Sequence, residues 1–591
     1  MHARAALAAV ILLTAACSSN DKDSSSASTA ASTPATQTSA APPANTAPPT
    51  DVATTAVATT DEATTEETTA PTATDAPPPT DVGAKTCVAP QTAPLDAASV
   101  GPTNADGAGE EWSITSFDGS VIRAHWFPVE DLAAGATAAT VMMGPGWGSA
   151  GETHLGTVGN DTSIATLLAA GFNVLTWDPR GFGQSTGTIE VDSPEFEGRD
   201  VEQLIDWVAT QPQAELDATG DPRLGMVGGS YGGGIQLVTA AIDCRVDAIV
   251  PIIAWHSLQT SLFKADTPKT GWAGLLAAAS AGRNLDPTIT RANATGPTGV
   301  VDPADVQWFA DRGPGDLVDK ITVPTLIIQG TVDTLFTLDE GVTNFEAIAA
   351  NGVPVAMLWF CGGHGACLTP AGDEGRSGQA ALAWLRHYVQ GDASVDVGAT
   401  FEFVDQDGVS YTADDFPTVD AQPLTGTGSG SLDLTAEGGA GPAAADGPGL
   451  APLVAPITPA KADHAVNVSI AAGSNDSVLV GAPQLTMTYS GTVPDGTAPT
   501  RVFAQLVDDT TGLVLGNQIT PIEVSLDGAT HTADVPLEMI AFNAHAGSSI
   551  TLQIVATTVA YAQPRLGGSI DFESISIDLP MVDGVTRSIV E

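Results

Sequence analysis

The chain is 591 residues long, room for several domains at roughly 100–200 residues each. It carries 69 acidic and 20 basic side chains, a net charge of −49. Such scarcity of Lys and Arg excludes a nucleic-acid binder, which needs clustered cations to displace counterions from phosphates. The hydrophobic share of 43% excludes wholesale disorder. Beyond the first twenty residues no apolar run reaches about 18 residues, which excludes a polytopic membrane protein.

The N-terminus reads as an export signal. His2 and Arg4 precede an apolar stretch over 5–13 that is too short to span a bilayer. Leu13-Thr14-Ala15-Ala16-Cys17 then resembles a bacterial lipobox, which implies cleavage before Cys17 and diacylglycerol on its sulfur. The plainer alternative is an ordinary secretory signal. On either reading the mature chain leaves the cytoplasm, as a lipoprotein on the outer face of the cell membrane or as a secreted protein. Residues 18–86 are almost wholly Ala, Thr, Ser, Pro, Asp and Glu. They are expected to form a disordered linker, because so few large apolar side chains cannot offset the entropy of ordering.

Four further cysteines remain, Cys87, Cys244, Cys361 and Cys367, and in an exported chain they favour disulfides with three pairings open. Cys361–Cys367 is expected to close a short loop, and Cys87–Cys244 to pin the N-terminal edge of the first folded domain. Cys361, His364 and Cys367 match no zinc spacing and have no second pair, so no metal is assigned.

From residue 111 the texture becomes one of alternating strands and helices. Strands over 112–117 and 121–127 flank Asp118-Gly119, a strong hairpin signal. An apolar run over 139–143 ends in Gly144-Pro145-Gly146-Trp147-Gly148. A helix over 164–170, a strand over 172–177 and a helix over 196–208 follow, the last with Val201, Leu204, Ile205 and Val208 on one face. Strands over 224–227, 246–254, 325–329 and 355–360 alternate with helices over 235–242, 339–349 and 380–389, and an irregular stretch runs to about 319. Strands separated by helices imply crossovers and a mostly parallel sheet covered on both faces. The spacing predicts an α/β domain over 87–394.

The chemistry falls at strand ends. Gly228-Gly229-Ser230-Tyr231-Gly232 follows a strand and opens a helix, the context in which G-x-S-x-G is a nucleophile elbow. Ser230 is the candidate nucleophile, and the Tyr231 backbone N–H points at the oxyanion from the helix N-terminus. A serine nucleophile needs a base and an orienting acid, here in the order Ser, acid, His. Asp333 follows the strand over 325–329 and His364 the strand over 355–360, both where open α/β sheets place their ligands. Asp339 is a weaker acid candidate, since it starts the next helix. Trp147, after the apolar run, is the candidate second oxyanion donor through its backbone N–H. Trp255 and His256, just past a strand, are candidate pocket residues. Asp178 and Arg180 are read as braces of their loop. The chemistry needs no metal or organic cofactor.

These residues, Gly-Gly-Ser230-Tyr-Gly-Gly, Asp178-Pro-Arg180-Gly, Gln329-Gly-Thr-Val-Asp333 and the late His364, resemble the X-prolyl dipeptidyl-peptidase/cocaine-esterase family of α/β-hydrolase serine hydrolases. The likeness is clear over about 112–389. It implies acyl transfer to serine, a helical lid between the strands that bear Ser and Asp (here 257–315), and a C-terminal jelly roll. It also implies release of N-terminal X-Pro dipeptides or ester hydrolysis. Where the family commonly supplies a tyrosine hydroxyl to the oxyanion, this chain has Trp147, so the oxyanion is expected to rest on backbone donors or the indole N–H.

From about 395 helical periodicity disappears. Leu485, Met487 and Tyr489 alternate with Thr486 and Thr488, a half-buried strand pattern. Strands are expected over 502–507, 513–515, 519–524, 550–555 and 570–577, and 425–449, rich in Gly and Ala, as a long loop. The spacing predicts a β-sandwich over 395–591, which the family resemblance makes jelly-roll-like. The chain is thus read as an exported serine hydrolase acting on small peptides or esters, nearest to the X-prolyl dipeptidyl-peptidases. A carboxylesterase with the same three residues, and a non-catalytic cell-surface glycan binder, are the alternatives.

Overall fold

The computed structural model describes residues 88–587 except 104–108, 131, 134, 373–374, 442–450, 458–459, 495–499 and 563–565. The signal segment, Cys17, the linker and Cys87 therefore lie outside the described residues. The first element in chain order is β1 (Ala97–Pro102), which pairs antiparallel with β2 (Glu110–Thr115), and β2 forms the expected hairpin with β3 (Val121–Phe127). Then come β4 (Thr140–Met143), α1 (Ile164–Ala169), β5 (Asn173–Asp178), α2 (Glu197–Val208), β6 (Leu224–Gly229), α3 (Tyr231–Ile242) and β7 (Ala248–Ile252). Four helices intervene before the sheet resumes: α4 (Leu258–Leu262), α5 (Thr270–Ala279), α6 (Pro287–Thr295) and α7 (Pro303–Ala310). β8 (Thr325–Gly330), α8 (Leu338–Ala349), β9 (Val355–Phe360), α9 (Arg376–Tyr388), β10 (Phe401–Val404) and β11 (Ser410–Ala413) complete the α/β part.

These strands form one sheet in the order β1-β2-β3-β5-β4-β6-β7-β8-β9-β10-β11, closed at its far edge by the short strand Thr586–Arg587. From β5 to β10 every pairing is parallel, and the hairpins at either edge are antiparallel. β4 to β8 are buried for nearly their whole length, as parallel strands covered on both faces must be. The amphipathic face read from α2 is inside: Val201, Leu204, Ile205 and Val208 are buried, with Trp207 packed between the rings of Trp112 and Trp126. One boundary differs from expectation. β10 and β11 lie past residue 394 yet continue the large sheet, because Phe401 and Phe403 pack with Trp359 and Tyr411 in its core.

The stretch between β7 and β8, read as irregular and expected from the family resemblance to hold a lid, is mostly helical. Side chains start three of its helices: Ser257, Asp286 and Asp302 each accept a backbone N–H of the first turn, the favoured use of such residues at an N-cap.

The C-terminal part is a sandwich of two antiparallel sheets. It is built from β12 (Leu424–Asp433), β13 (Val466–Ala471), β14 (Gln484–Thr492), β15 (Thr500–Asp508), β16 (Thr520–Val524), β17 (His531–Pro536), β18 (Ser549–Val555) and β19 (Ser569–Leu579). One sheet runs β12-β19-β14-β17 and the other β13-β18-β15-β16. Residues 513–515 do not form a strand; they lead into the short 3-10 turn Leu515–Asn517. Over 425–433, β12 corrects the reading of 425–449 as a loop, while 442–449 lie outside the described residues. Its inward positions are Gly426, Gly428 and Gly430, and they lie against Ile470, Val468 and Val466 of the facing sheet. A Cβ on Gly428 would come within 2.7 Å of Val468 Cγ2, so the absent side chains leave room for the valines and isoleucine opposite. The alternation is that of a strand, with glycine in the place of the apolar residue.

Candidate active site

The loops that carry chemistry all leave the C-terminal ends of parallel strands. β6 runs straight into α3 through Ser230, whose φ of 57° and ψ of −117° put a non-glycine residue in strained backbone. The turn is possible because its neighbours lack side chains. A Cβ on Gly228 would sit 2.6 Å from the Gly144 carbonyl oxygen, and one on Gly232 would run into the same group. The elbow is therefore pressed against the loop that leaves β4. Tyr231 is the first residue of α3, so its N–H has no acceptor within the helix and lies beside Ser230.

The Ser230 side chain meets His364, whose Nε2 is 2.7 Å from Ser230 Oγ. On the other side of the ring, His364 Nδ1 is 2.7 Å from Asp333 Oδ2. Asp333 is fully buried, and its carboxylate is saturated. Oδ2 also accepts the His364 backbone N–H at 3.0 Å, while Oδ1 accepts those of Leu335 and Phe336, each at 2.9 Å. An acceptor so placed makes Nδ1 of His364 the protonated nitrogen and leaves Nε2 facing the hydroxyl as the acceptor. Two rings hold the imidazole edge-on, Phe336 at 5.1 Å and Trp272 at 5.7 Å between centroids. Ser230, Asp333 and His364, far apart in the chain, are thus brought into one hydrogen-bonded path.

Asp339 is not on that path. It lies in the first turn of α8 and accepts from Lys264 Nζ at 3.0 Å. Burial, reinforced by the neighbouring Glu538, pushes its carboxyl up to about 8. Trp147 lies where the β4 loop meets the elbow, its ring edge-on to Tyr231 and Phe182. Its indole N–H donates to the Leu276 carbonyl at 3.0 Å, so the indole is unavailable to an oxyanion and the backbone N–H is left for that part. Trp255 belongs to the same aromatic cluster, stacked near Tyr231 and 5.0 Å from the Phe336 ring. His256 turns elsewhere. Its Nδ1 contacts Asn344 Oδ1 and its N–H donates to Glu340, because the buried Glu340 carboxylate collects the N–H groups of both His256 and Ser257.

The braces behave as read. The buried Arg180 guanidinium makes a two-point contact with Asp200, 2.7 Å on each side, and reaches Asp118. Asp178 accepts the N–H groups of Gly151 and Gln184. Sequence reasoning passed over two acids beneath Tyr231. Its hydroxyl donates to Glu197 Oε1 and accepts the Asp192 N–H, both at 3.3 Å. Burial pushes Glu197 up to about 7 and Asp192 well above the carboxylate range. Neither carries a motif; only the polar residues amid an otherwise apolar cluster would have pointed to them.

Cys361 and Cys367 are joined in a disulfide across the His364 loop, which consumes both thiols of the block weighed above as a metal site. Cys244 is also disulfide-bonded. Among the described residues no helix is long and apolar enough to cross a membrane.

Comparison with known proteins bears on the fold and the family. Residues 118–366 match the X-Pro dipeptidyl-peptidase (S15 family) profile. A CocE/NonD family hydrolase from Staphylococcus aureus superposes with a TM-score of 0.56 at 14% identity, covering 83% of this chain and 97% of that one. An aminopeptidase from a marine sediment Thaumarchaeota archaeon gives 0.56 at 13%, covering 85% and 99%. An α-amino acid ester hydrolase gives 0.55 at 12%, covering 86% and 100%. A curated Escherichia coli relative, an uncharacterized 31.7 kDa protein of the traX-finO intergenic region, is 36% identical over 86 residues. That match spans 15% of this chain and 28% of the relative's length. At such identities the structural likenesses carry the fold: a mostly parallel α/β domain followed by an antiparallel sandwich.

Proposed function

We propose, from the match of residues 118–366 to the X-Pro dipeptidyl-peptidase (S15) family of hydrolases, a serine hydrolase that works through an acyl-enzyme on Ser230. The observation that carries the reading is the unbroken path Asp333–His364–Ser230, two contacts of 2.7 Å that end on a serine in strained backbone. In this reaction Ser230 Oγ attacks the acyl carbonyl as its proton passes to His364 Nε2. The oxygen that gains charge is met by the backbone N–H groups of Tyr231 and Trp147. Asp333 stabilises the imidazolium through Nδ1–H, and His364 then protonates the leaving group. Water repeats the sequence on the acyl-enzyme and frees Ser230.

Between the two substrate classes of the family resemblance, the surroundings favour esters of neutral acids. The side chains that touch the His364 ring and the elbow are aromatic: Phe336, Trp272, Trp147 and, beyond them, Phe182 and Trp255. A dipeptide with a free N-terminus brings an ammonium that needs an accessible carboxylate. The nearby acids are engaged or sealed: Asp339 and Glu538 with Lys264, Glu340 with two backbone N–H groups, and Asp192 wholly buried. The family match supports the peptidase as the second reading. Glycan binding by the sandwich has less support, since the exposed large hydrophobic side chains among the described residues include no aromatic ring on which a sugar could stack. Export is part of the proposal, supported by the disulfides, which persist in oxidising compartments.

The test is hydrolysis of short-chain nitrophenyl esters against Ala-Pro-anilide, with Ser230→Ala as blank. Ester turnover lost in the blank is expected; anilide cleavage alone would favour the peptidase. A wild-type protein that neither turns over any substrate nor takes a fluorophosphonate label would refute the hydrolase.

A further inference from the structure

The loop that carries Asp333 is held almost entirely by side chains from outside its own strand and helix. Its four successive carbonyls each meet a donor. Gln518, in the sandwich, donates to Asp333 O at 2.7 Å. Lys269, just before α5 in the lid, donates to Thr334 O at 3.1 Å and Leu335 O at 2.9 Å. Gln329 of β8 donates to Phe336 O at 2.6 Å. The Thr334 hydroxyl accepts the Trp272 indole N–H and donates to the Leu453 carbonyl. Two of these four carbonyls, those of Leu335 and Phe336, belong to the residues whose N–H groups fix Asp333 Oδ1.

Lys269 is unusual in this company. It is 4% exposed, and a buried ammonium with partners it can donate to is retained only where those bonds are made. Its third face lies 5.6 Å from the Tyr561 ring. Burial pushes its amine down to about 8, with Lys264 adding to the fall and the charges of Glu538, Glu340 and Asp333 opposing it. The segment on which Lys269 sits is itself clamped by the sandwich. Arg501 donates to the Ala265 carbonyl at 2.7 Å and to Thr267 Oγ1 at 2.9 Å, Glu538 pairs with Lys264, and Ala562 N–H donates to the Pro268 carbonyl.

We propose that Lys269, seconded by Gln518, is a positioning residue for the Asp333–His364 pair, so that the lid and the sandwich set the geometry of the triad from outside the α/β domain. Neither side chain touches substrate or the reacting atoms. They act through the backbone of 333–335, whose placement decides where the Asp333 carboxylate meets the imidazole. The proposal rests on the serine-hydrolase reading above.

Full-length wild type, Lys269→Met and Gln518→Leu are compared on one nitrophenyl ester, with hydrogen exchange read over 331–337. A misplaced catalytic group costs rate more than binding, so kcat is expected to fall roughly 10- to 100-fold in Lys269→Met and several-fold in Gln518→Leu. KM should stay within about threefold of wild type, because the acyl-binding surface is untouched. Exchange should rise over 331–337 and not over the elbow, 228–234. A folded Lys269→Met with wild-type kcat and a protected loop overturns the proposal. Should that variant fail to fold, Gln518→Leu decides on the same readings. Failure of wild type to take a fluorophosphonate sinks the hydrolase reading; a labelled wild type with unaltered variants sinks this inference alone.

Discussion

A single oxygen of Asp333, Oδ2, accepts both the ring Nδ1–H and the backbone N–H of His364, at 2.7 and 3.0 Å. The acid thus fixes where the residue starts as well as how its ring is turned. The other oxygen faces two more N–H groups, those of Leu335 and Phe336. An amide in this place would set its NH2 against a pair of donors in either flip. Asp333→Asn is therefore expected to lower kcat by roughly 10³–10⁴-fold and also to lower the melting temperature. A variant that lost rate without losing stability would mean the loop tolerates the mismatch by moving. Steady-state kinetics and a melting curve on the same preparation distinguish the two.

The His364 loop has a second constraint, the Cys361–Cys367 disulfide. The ring it closes contains Gly362 and Gly363, at φ of 142° and 135°, where almost only glycine is at ease. Glycines make the unfolded loop unusually free, so the cross-link has much entropy to remove. Replacing both cysteines by alanine is expected to cost about 2 kcal/mol of stability and to lower kcat more than it raises KM. Wild-type kcat in the double variant would show that the contacts with Asp333, Trp272 and Phe336 hold His364 unaided.

Packing in the sandwich gives a test away from the site. Gly428 on β12 has no room for a side chain, with Val468 Cγ2 2.7 Å from where its Cβ would be. Ser429, its neighbour, points out of the sandwich. Overfilling a close-packed core costs about 1–3 kcal/mol, so Gly428→Val should lower the denaturation midpoint markedly and Ser429→Val hardly at all. Equal effects would mean the two sheets are not locked at this strand.

The contrast between β12 and the triad explains what the sequence could reveal. Ser230, Asp333 and His364 were legible because each needs a special context, a strand end followed by glycine or a helix start, and that context is local. Long apolar runs such as 355–360 fixed strands for the same reason. β12 was missed because period-2 patterning is sought in apolar residues, and here the inward residue is glycine, chosen by the bulk of Val466, Val468 and Ile470 on a strand about forty residues away. The placement of β10 and β11 in the large sheet rests likewise on a distant partner, Trp359. The helices between β7 and β8 were not legible from periodicity, being short and weakly patterned. Lys269 and Gln518 carry no motif, since backbone carbonyls that need donors leave no trace in the chain that supplies them.

Glu197 links the packing beneath Tyr231 to pH. Burial comes first in pushing its carboxyl up to about 7, with Asp200 adding to the rise and Arg180 opposing it. An acid whose folded value lies above its unfolded one disfavours the ionised native state. Its stabilising share is whole below about pH 4.5 and is lost as pH climbs through about 7. A shift of this size corresponds to about 3 kcal/mol. Glu202 and Asp247, each also pushed up to about 7 chiefly by burial, act in the same direction. The melting temperature of wild type is therefore expected to fall between pH 5 and pH 8, the window in which these three groups and Asp339, pushed up to about 8, would ionise. Glu197→Gln, which cannot ionise, should fall less steeply, while Glu202 and Asp247 leave a residual slope. The measurement is the melting temperature of both proteins across that window at constant ionic strength. Parallel curves would mean that Glu197 stays ionised in the folded protein, with Arg180 overcoming its burial.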